Sequence, residues 1–431
     1  MKPIKIGSIR KVSQYIFLSC VIFLGIISII GTGGGGGDDG DGKEYYEVPD
    51  FYLIPELVSS TMHFSILESS EQHTCGVTFS GSTYCWGTNE YGELGTSADM
   101  ETCYDWLRGP FPCTGTPQQV ETTVQFATLA GAQGASFTCG LTADGEAYCW
   151  GFGMGGQLGN GERFNSSTPV AVAGGIKFAS IHVANGALGA CGLTTEGELY
   201  CWGPLGILFG HGLIDELHDV PVRAADDYRF VAFAIGELHA CGVTADGQAY
   251  CWGSNWYGQL GVGSAGGEEG GLKQATEPVA VVNGPAFRSI VAGSDQSCAL
   301  TETGDAYCWG SGFNTGTGSL DGGAVTTPQL VAGGYSFVSL QAGFIHTCGL
   351  TDAGEAYCWG ENYAGELGNG TQIRSAIPVK VELTQGFESL SQRPICGLTD
   401  QGLAYCWGNN SYGQVGRFPA FADLESQFAF E

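Results

Sequence analysis

The feature that most constrains this fold is a stretch of thirteen residues, represented by residues 139–151, that occurs seven times along the chain. Each copy begins with a cysteine, has a second cysteine ten residues later, and continues with Trp-Gly. The cysteine pairs are Cys75 and Cys85, Cys139 and Cys149, Cys191 and Cys201, Cys241 and Cys251, Cys298 and Cys308, Cys348 and Cys358, and Cys396 and Cys406. Successive copies are 48 to 64 residues apart, a spacing that indicates a repeat architecture.

Each copy has the composition of a β-hairpin. Short runs rich in Thr, Leu, Tyr and Trp flank a turn, which is Asp144-Gly145 in the second copy. With that turn at the centre, Cys139 faces Cys149 and Gly140 faces Tyr148, so we expect the Tyr148 ring to cover the glycine. Directly opposed residues on antiparallel strands are close enough for a disulfide. We therefore expect every hairpin to carry its own disulfide.

A second, independent sequence pattern also occurs seven times. Each unit begins with a proline and has a phenylalanine nine residues later. The pairs are Pro55 and Phe64, Pro117 and Phe126, Pro169 and Phe178, Pro221 and Phe230, Pro278 and Phe287, Pro328 and Phe337, and Pro378 and Phe387. A unit then contains a proline strand, a phenylalanine strand and the two hairpin strands. Four short strands cannot bury their faces alone, so the sequence predicts an all-β, seven-bladed β-propeller of four-stranded antiparallel blades over residues 51–417.

Composition supports an all-β chain and restricts its partners. Glycine accounts for 72 of 431 residues, but 43% of the residues are hydrophobic, which favours a turn-rich β protein over a disordered one. Acidic residues outnumber basic ones by 44 to 16. Such a surface repels nucleic acid and anionic membranes. The charge either serves solubility or attracts a cationic partner.

The cysteines and the N-terminus predict export. Counting Cys103 and Cys113, sixteen of the 17 cysteines pair at ten-residue spacing, which is typical of a disulfide framework in an oxidising compartment. Residues 1–31 read as a signal peptide or signal anchor, because basic residues precede the apolar run 15–30. A Gly/Asp-rich linker follows at 32–50. We expect an extracytoplasmic location, in the periplasm, on the cell surface or secreted, with membrane contact only through an uncleaved N-terminal segment.

The loop after Trp-Gly carries a further motif, Tyr257-Gly258-Gln259-Leu260-Gly261 in the fourth unit, with related forms in units one, two, six and seven. Together with Leu-Thr-x-x-Gly-x-x-Tyr-x-Trp-Gly in the hairpins, it resembles the regulator of chromosome condensation repeat family over residues 51–417. The resemblance implies a seven-bladed propeller, in agreement with the repeat count. The hairpin cysteines depart from the family pattern and are consistent with its exported bacterial branch.

The family resemblance also implies a range of partners. The eukaryotic namesake exchanges guanine nucleotide on a small GTPase and binds chromatin, whereas a secreted bacterial relative inhibits β-lactamase. Neither activity can be assigned to this chain residue by residue. Fold-level analogy therefore suggests a binding protein without identifying its ligand.

Two connections between units are longer than the others and should emerge on the same face. Gly95 to Pro117 holds a loop bounded by Cys103 and Cys113, and Gly261 to Pro278 is the equivalent connection in the fourth unit. Rigid loops with aromatic and arginine side chains are typical anchors for a partner. The predicted binding residues are Tyr104, Trp106, Arg108, Phe111, Trp256 and Tyr257. Alternatively, Trp106 and Phe111 only form a satellite cluster over the disc.

Catalytic and metal sites find little support in the sequence. Three hairpins read His-x-Cys (His73, His239 and His346), but the other four lack the histidine. The third unit's loop clusters further polar residues at a spacing that fits no known site, namely His211, Asp215, Glu216, His218 and Asp219. We therefore expect no cofactor, no metal and no enzymatic activity.

The predicted function is an exported binding or scaffold module for a protein or glycan partner, acting through its loop face. The alternatives are a polysaccharide-acting enzyme of the cell envelope and a surface-assembly protein. The tail 418–431 repeats the nine-residue spacing with Pro419 and Phe428. It resembles the start of an extra repeat or a closing strand.

Overall fold

The structure, a computed structural model, describes residues 51–416 apart from positions 99, 106–108, 133, 211–216, 320–321 and 392–394. Its strands form seven separate antiparallel sheets, and the innermost strands of six of them line a central channel. The predicted seven-bladed β-propeller is confirmed. The predicted signal segment 1–31, the linker 32–50 and the tail 418–431 lie outside the described residues.

The strands of each blade run from the channel outwards in chain order, with two exceptions. Strand β1 (Phe51–Leu57) is the outer strand of blade 7, and in blade 1 the last strand of the chain order lies inside the strand that precedes it. Blade 1 contains β2 (Phe64–Ser69), β3 (His73–Thr78), β4 (Thr83–Thr88), β5 (Glu101–Asp105) and β6 (Gly109–Gln119). Blade 2 contains β7 (Thr128–Ala130), β8 (Phe137–Leu141), β9 (Ala147–Gly151) and β10 (Ser166–Ala171). Blade 3 contains β11 (Ser180–Val183), β12 (Ala190–Leu193), β13 (Leu199–Gly203) and β14 (His218–Ala224).

The remaining blades repeat the four-stranded pattern. Blade 4 contains β15 (Ala232–Ile235), β16 (His239–Val243), β17 (Ala249–Ser254) and β18 (Gln274–Ala280), and blade 5 contains β19 (Ser289–Ala292), β20 (Gln296–Leu300), β21 (Ala306–Ser311) and β22 (Ala324–Leu330). Blade 6 contains β23 (Phe337–Ala342), β24 (His346–Thr351), β25 (Ala356–Gly360) and β26 (Ser375–Lys380), and blade 7 contains β27 (Ser389–Ser391), β28 (Ile395–Leu398) and β29 (Ala404–Asn409). In the described part of the chain, no helix is long or apolar enough to cross a bilayer.

Each sequence unit supplies strands to two neighbouring blades, an offset that the repeat pattern did not predict. The strand that contains Pro117 is the outer part of blade 1, and the strand that contains Pro169 is the outer strand of blade 2. Strand β1, which contains Pro55, pairs with β29 of blade 7. The first unit therefore closes the last blade, and this hydrogen bonding between the two ends of the repeat region closes the ring.

The repeated proline and the Trp-Gly glycine meet at an irregularity of the sheet. In blade 2, Ser166 lies opposite Gly151 while Val170 lies opposite Cys149, so β10 carries extra residues around Pro169. Proline has no N–H for the ladder and is tolerated at such irregularities. Gly151 has φ 103°, and a Cβ there would lie 2.6 Å from the Ser136 carbonyl oxygen. A side chain is therefore excluded at this position.

The hairpins have the predicted register, with Cys139 opposite Cys149 and Gly140 opposite Tyr148. All eight predicted disulfides are formed, and the Cα atoms of the seven hairpin pairs are 4.0–4.1 Å apart. The ring over Gly140 is that of Phe126, because a Cβ on the glycine would lie 2.6 Å from its Cδ1 atom. The prediction that Tyr148 covers this glycine is therefore wrong. The Phe126 ring, which comes from the segment just before the inner strand β7, occupies the space over Gly140, and the Tyr148 ring contacts it edge-on.

The apolar core consists of layers between adjacent blades. Between blades 1 and 2 the layer combines the first blade's disulfide and aliphatic residues with an aromatic pair of the second: Cys75, Cys85, Leu94, Val120, Phe126, Leu129 and Trp150. The layers between blades 6 and 7 and between blades 7 and 1 have the same composition. Each hairpin disulfide therefore joins two strands and also fills an apolar interface, where burial supplies most of the stabilisation.

The long connection of the first unit is a β-hairpin rather than an irregular loop. Strands β5 and β6 pair with Cys103 opposite Phe111, and β6 continues into the outer strand of blade 1. Blade 1 consequently has five strands, one more than the repeat predicts. The Cys103–Cys113 disulfide closes this insertion.

Candidate binding surface

Each blade exposes one end that carries two kinds of loop, which we call the loop face. These loops join the first strand to the second and the third strand to the outer strand, whereas the opposite end, the turn face, carries the hairpin turns. On the loop face of blade 4, Asn255 Oδ1 accepts the Leu260 N–H at 3.0 Å and Gln259 Oε1 accepts the Tyr257 N–H at 2.9 Å. Blades 1, 6 and 7 have the same two bonds. The Asn and Gln/Glu side chains of this motif therefore order the loop itself.

The same loops fasten each blade to the next through the hairpin tryptophan. Trp150 Nε1 of blade 2 donates to the Glu93 carbonyl of blade 1 at 2.9 Å. Equivalent bonds of 2.9–3.1 Å are made by Trp86, Trp202, Trp252, Trp309 and Trp407. Gly95, at the end of the blade 1 loop, has φ 67°, and a Cβ there would lie 3.1 Å from Trp150 Nε1. The motif glycine therefore leaves room for the tryptophan of the neighbouring blade.

The tryptophan of blade 6 departs from this pattern. In blade 5 the loop begins with a 3₁₀ turn at Gly312–Asn314 in place of the motif. Trp359 Nε1 and Asn314 Oδ1 are both buried, and neither has a hydrogen-bond partner among the described residues. Trp359 is therefore a natural comparison for the other six tryptophans.

One motif position holds an ionisable residue in the core. Glu93 is fully buried, and its Oε2 accepts the Tyr91 N–H at 2.7 Å. Burial raises the pKa of Glu93 to about 8, so the carboxyl is protonated in the folded protein at neutral pH. Three other loops have glutamine at this position, namely Gln157, Gln259 and Gln414.

We expect Glu93→Gln to stabilise the protein more at pH 8 than at pH 5. The folded-state pKa is raised, so the wild type loses stability as the pH rises from the unfolded value of about 4.5 to about 8, while the variant does not. The difference between the two pH values should be about 2–4 kcal/mol in urea unfolding. The exposed Glu302, on the turn face of another blade, provides the control, because Glu302→Gln should change stability little at either pH. A stabilisation by Glu93→Gln that is equal at both pH values would contradict the assignment.

Exposed apolar side chains occupy two equivalent loop positions in blades 2, 4 and 6. The first position lies four residues after the hairpin tryptophan, and the second lies two residues before the outer strand. They hold Met154 and Phe164 in blade 2, Trp256 and Leu272 in blade 4, and Tyr363 and Ile373 in blade 6. Asn255 Nδ2 donates to the Leu272 carbonyl at 2.8 Å and Asn362 Nδ2 donates to that of Ile373 at 3.1 Å. These bonds hold the two positions together in blades 4 and 6, and we refer to the three sets as the loop-face apolar pairs.

The predicted binding residues lie on two blades that are not neighbours. Trp256 and Tyr257 of blade 4 are 53% and 47% exposed, and the Lys273 ammonium lies 5.5 Å from the Trp256 ring. Phe111 of the blade 1 insertion is buried and packs edge-on against Tyr412 of blade 7 at 5.6 Å. For Tyr104 only the backbone, in β5, is described. Trp106 and Arg108 lie outside the described residues.

An open groove of about 440 Å³ lies beside the insertion. Its lining includes Asn89, Thr96, Met100 and Phe111. The groove therefore joins the blade 1 loop to the insertion on the loop face.

The central channel, of about 240 Å³, is lined by inner-strand residues of blades 1 to 6, most of which have aliphatic side chains. Two ionisable groups, Glu68 and His182, are part of its lining. Burial raises the pKa of Glu68 to about 8, against the opposing effect of the Gly131 N–H, and lowers that of His182 to about 4. His182 Nε2 lies 2.9 Å from Ser180 Oγ. Both groups are therefore uncharged near neutral pH.

Two carboxylates meet on the loop face between blades 4 and 5. Ser294 Oγ donates to Glu237 Oε2 at 2.7 Å and lies 3.4 Å from Asp295 Oδ2. Burial, and then the charge of Glu237, raise the pKa of Asp295 to about 6. Gln259 Nε2 lies 3.5 Å from Asp295 Oδ1. The carboxylates therefore adjoin the loop that presents Trp256 and Tyr257.

Histidines of the His-x-Cys hairpins form hydrogen bonds between blades. His73 Nε2 lies 2.6 Å from Thr138 Oγ1, and His239 Nε2 lies 2.9 Å from Ser297 Oγ. Burial lowers the pKa values of His73 and His239 to about 3 and about 4, so both rings are neutral. The adjacent cysteines are in disulfides and are not available as metal ligands.

The polar cluster of the third unit is only partly described. His211, Asp215 and Glu216 lie outside the described residues. The His218 ring packs against Phe209 at 4.8 Å, and Asp219 pairs with Arg163 at 3.0 Å. Within the described ranges, no group of three or more His, Cys, Asp or Glu residues is arranged to hold a metal ion.

Family models decide the relationship that the loop and hairpin motifs suggest. Two models of the regulator of chromosome condensation (RCC1) repeat together match more than half of the chain. One matches residues 67–93, 130–157, 230–259, 287–315, 337–366 and 395–414, and the other matches 144–192, 246–300 and 353–395. The chain belongs to this repeat family.

Curated relatives of this RCC1 repeat protein share only part of its length. The ultraviolet-B receptor UVR8 of Arabidopsis thaliana is 32% identical over 253 residues, which cover 57% of this chain and 52% of the receptor. The E3 ubiquitin-protein ligase HERC2 of Mus musculus is 30% identical over 154 residues, 35% of this chain and 3% of the ligase. The chain thus spans about half of the receptor and a small part of the ligase.

Solved structures support the fold. Human WBSCR16 has a TM-score of 0.66 at 17% identity, with 83% of this chain and 89% of that chain covered. Yeast RCC1 (Prp20), solved with Kap60, has a TM-score of 0.62 at 21% identity, with 84% and 82% covered. At these identities the likeness concerns the propeller alone.

Proposed function

We propose that this RCC1 repeat protein is an extracytoplasmic, non-enzymatic scaffold that binds a protein partner through its loop face. The observation that carries the proposal is the set of loop-face apolar pairs on blades 2, 4 and 6. Large exposed side chains at equivalent positions are the kind of anchor that dominates protein interfaces. The Asn, Gln and Trp hydrogen bonds beneath them hold the loops in place, which reduces the entropy lost on binding.

The proposed location is supported by the disulfides. All eight bridges join cysteines ten residues apart, and the seven hairpin bridges lie in the apolar layers. Such bridges persist in oxidising compartments outside the cytosol. The apolar run 15–30 in the sequence is consistent with export, and we propose membrane contact only if that segment is retained.

Protein binding is also supported by two structures of a related propeller. One contains yeast RCC1 (Prp20) bound to Kap60, and another describes Prp20p of Saccharomyces cerevisiae with its binding to Gsp1p and histones. Those partners belong to those proteins. For this chain we propose a protein partner of its own compartment, with a glycan as the alternative, because exposed aromatic rings such as Trp256 and Tyr363 can also stack on sugars.

The blade 1 insertion is the proposed second contact region. Its contact residues would be Tyr104, Trp106 and Arg108. Phe111, which packs against Tyr412, would hold the insertion in place rather than touch the partner.

We expect the double substitution Trp256→Ala with Tyr363→Ala to weaken partner binding at least about tenfold, because a central aromatic anchor contributes about 1–2 kcal/mol or more. The measurement is capture from an extracellular and envelope extract on the immobilised full chain, followed by titration of the captured partner. Phe79→Ala, at a 67% exposed position on the turn face, is the matched control and should bind as the wild type does. Protease and glycosidase treatment of the extract separates a protein from a glycan ligand. Equal losses in both variants, or none in the double variant, would rule out the loop face.

A further inference from the structure

We propose that the blade 4 patch, defined as Leu238, Trp256, Tyr257, Glu237 and Asp295, binds a basic segment of the partner, with a lysine or arginine placed between the two carboxylates. This inference rests on the proposed function and adds the chemical class of the bound segment. A partner of this kind presents Lys or Arg next to apolar residues.

The five residues lie on three loops of the loop face that are hydrogen-bonded to one another. The Ser254 N–H donates to the Leu238 carbonyl at 2.7 Å, which fixes Leu238 beside the start of the loop that holds Trp256 and Tyr257. Gln259 connects that loop to Asp295, since its Oε1 accepts the Tyr257 N–H and its Nε2 lies 3.5 Å from the carboxylate. Leu238 is 45% exposed, so the residue that follows Glu237 in the chain presents apolar surface on the loop face.

The cations of the described loop face are engaged elsewhere. Arg163 pairs with Asp219 at 3.0 Å, Arg374 pairs with Glu361 at 3.4 Å, and Lys273 lies over Trp256. Among the described residues, no lysine or arginine forms an ion pair with Glu237 or Asp295. On the turn face, by contrast, Lys177, Arg223, Arg229 and Lys380 pair with nearby carboxylates.

Two neighbouring carboxylates without a cation repel each other, and burial, followed by this repulsion from Glu237, raises the pKa of Asp295. A cation from a partner would relieve the repulsion and form charge-assisted hydrogen bonds with both groups. Its aliphatic stem would cover Leu238, as the stems of Lys and Arg often cover apolar surfaces. Lys273 over Trp256 shows that this side of the patch accommodates a cation against an aromatic ring.

A bare divalent ion fits less well. Ca²⁺ takes six to eight oxygen ligands, whereas this patch supplies two carboxylates and one hydroxyl that already donates to Glu237. The exposed apolar residues beside the carboxylates would have no role in binding such an ion. They do have a role for a peptide, whose own apolar residues they would contact.

The test uses random 12-residue peptides displayed on phage. Peptides are selected on the immobilised full chain and counter-selected on the Trp256→Ala, Tyr257→Ala double variant. We expect the retained peptides to be enriched in Lys and Arg and poor in Asp and Glu. A synthetic peptide from this set should bind the Glu237→Gln, Asp295→Asn double variant about tenfold more weakly at low salt, because the charge pairs between the peptide and the two carboxylates are lost.

The matched control removes two carboxylates from the turn face. Glu196→Gln with Asp352→Asn makes the same change in net charge at exposed turn positions, and peptide affinity should change less than about twofold. Retained peptides that are neutral or acidic, or equal losses of peptide affinity in the two charge-removing double variants, would overturn the proposal of a basic segment. A loop-face binding site would remain. If no selected peptide needs Trp256 and Tyr257 for binding, this patch is also excluded from the binding surface that the proposed function requires. Circular dichroism of each variant confirms that it is folded.

Discussion

Replacing Trp150 with alanine is expected to lower the free energy of unfolding by about 3–5 kcal/mol. Trp150 is fully buried between blades 1 and 2, where it packs against Phe126 with ring centroids 5.5 Å apart. The substitution removes that packing and the hydrogen bond from Nε1 to the Glu93 carbonyl. Urea unfolding followed by circular dichroism measures the change. A loss below about 1 kcal/mol would mean that the layer between the blades contributes little.

The hydrogen bond can be separated from the packing because blade 6 lacks it. Trp150→Phe keeps an aromatic ring but leaves the Glu93 carbonyl without its donor, whereas Trp359→Phe removes an N–H that has no partner among the described residues. We expect Trp150→Phe to cost about 1–2 kcal/mol more than Trp359→Phe. Equal costs would show that the inter-blade hydrogen bond is not stabilising.

Reducing the disulfides is expected to prevent refolding altogether. Each hairpin bridge closes a ring of about ten residues, worth about 2–3 kcal/mol on the loop-entropy model, so seven such bridges contribute about 14–21 kcal/mol, as much as or more than the roughly 5–15 kcal/mol stability of a typical domain. Protein unfolded and reduced in guanidinium should therefore regain no native circular dichroism when diluted into buffer that contains reductant. Oxidised protein taken through the same steps is the control. Recovery of the native spectrum under reducing conditions would contradict this prediction.

A pair of double variants tests whether a hairpin disulfide also contributes to packing. Cys139 with Cys149 and Cys103 with Cys113 have the same sequence separation of 10, so the loop-entropy contribution is the same. Cys139 and Cys149 are both fully buried in the layer that also holds Trp202, whereas in the insertion Cys113 is buried and Cys103 only half-buried. Replacing Cys139 and Cys149 by alanine should cost about 1–2 kcal/mol more than the same change at Cys103 and Cys113.

The fold was largely predictable because the sequence contains seven copies of the same pattern, each of which supports the same interpretation. The ten-residue cysteine spacing fixed the hairpin register, which places Cys139 opposite Cys149. The proline marker gave the number of units, but it did not show that Pro117 belongs to the blade before its phenylalanine. That offset arises from ring closure by β1, a contact between residues more than 300 positions apart that no local pattern contains.

The candidate site was less predictable because exposure depends on neighbouring blades. Trp256 was found as a tryptophan outside the hairpins, with Tyr257 beside it in the loop that follows Trp-Gly, and Phe111 was grouped with them although it packs against Tyr412. Met154 and Tyr363 were missed, yet both occupy the position equivalent to Trp256. Aligning the loops at the residue before this position would have identified them.

The carboxylate pair gave no sequence signal. Glu237 and Asp295 lie in different units and meet because the first loops of blades 4 and 5 are adjacent at the channel mouth. Their proximity depends on the propeller geometry, and an acidic composition of 44 Asp and Glu residues conceals any single pair.

The central claim is a propeller outside the cytosol in which every hairpin carries its own disulfide. Its most direct test is mass spectrometry of the protein isolated from its own cells under non-reducing conditions, with free thiols alkylated first. We predict eight disulfide bridges, each joining cysteines ten residues apart, as in Cys139–Cys149 and Cys103–Cys113. Alkylated thiols at the hairpin positions, or bridges between cysteines of different blades, would contradict the claim.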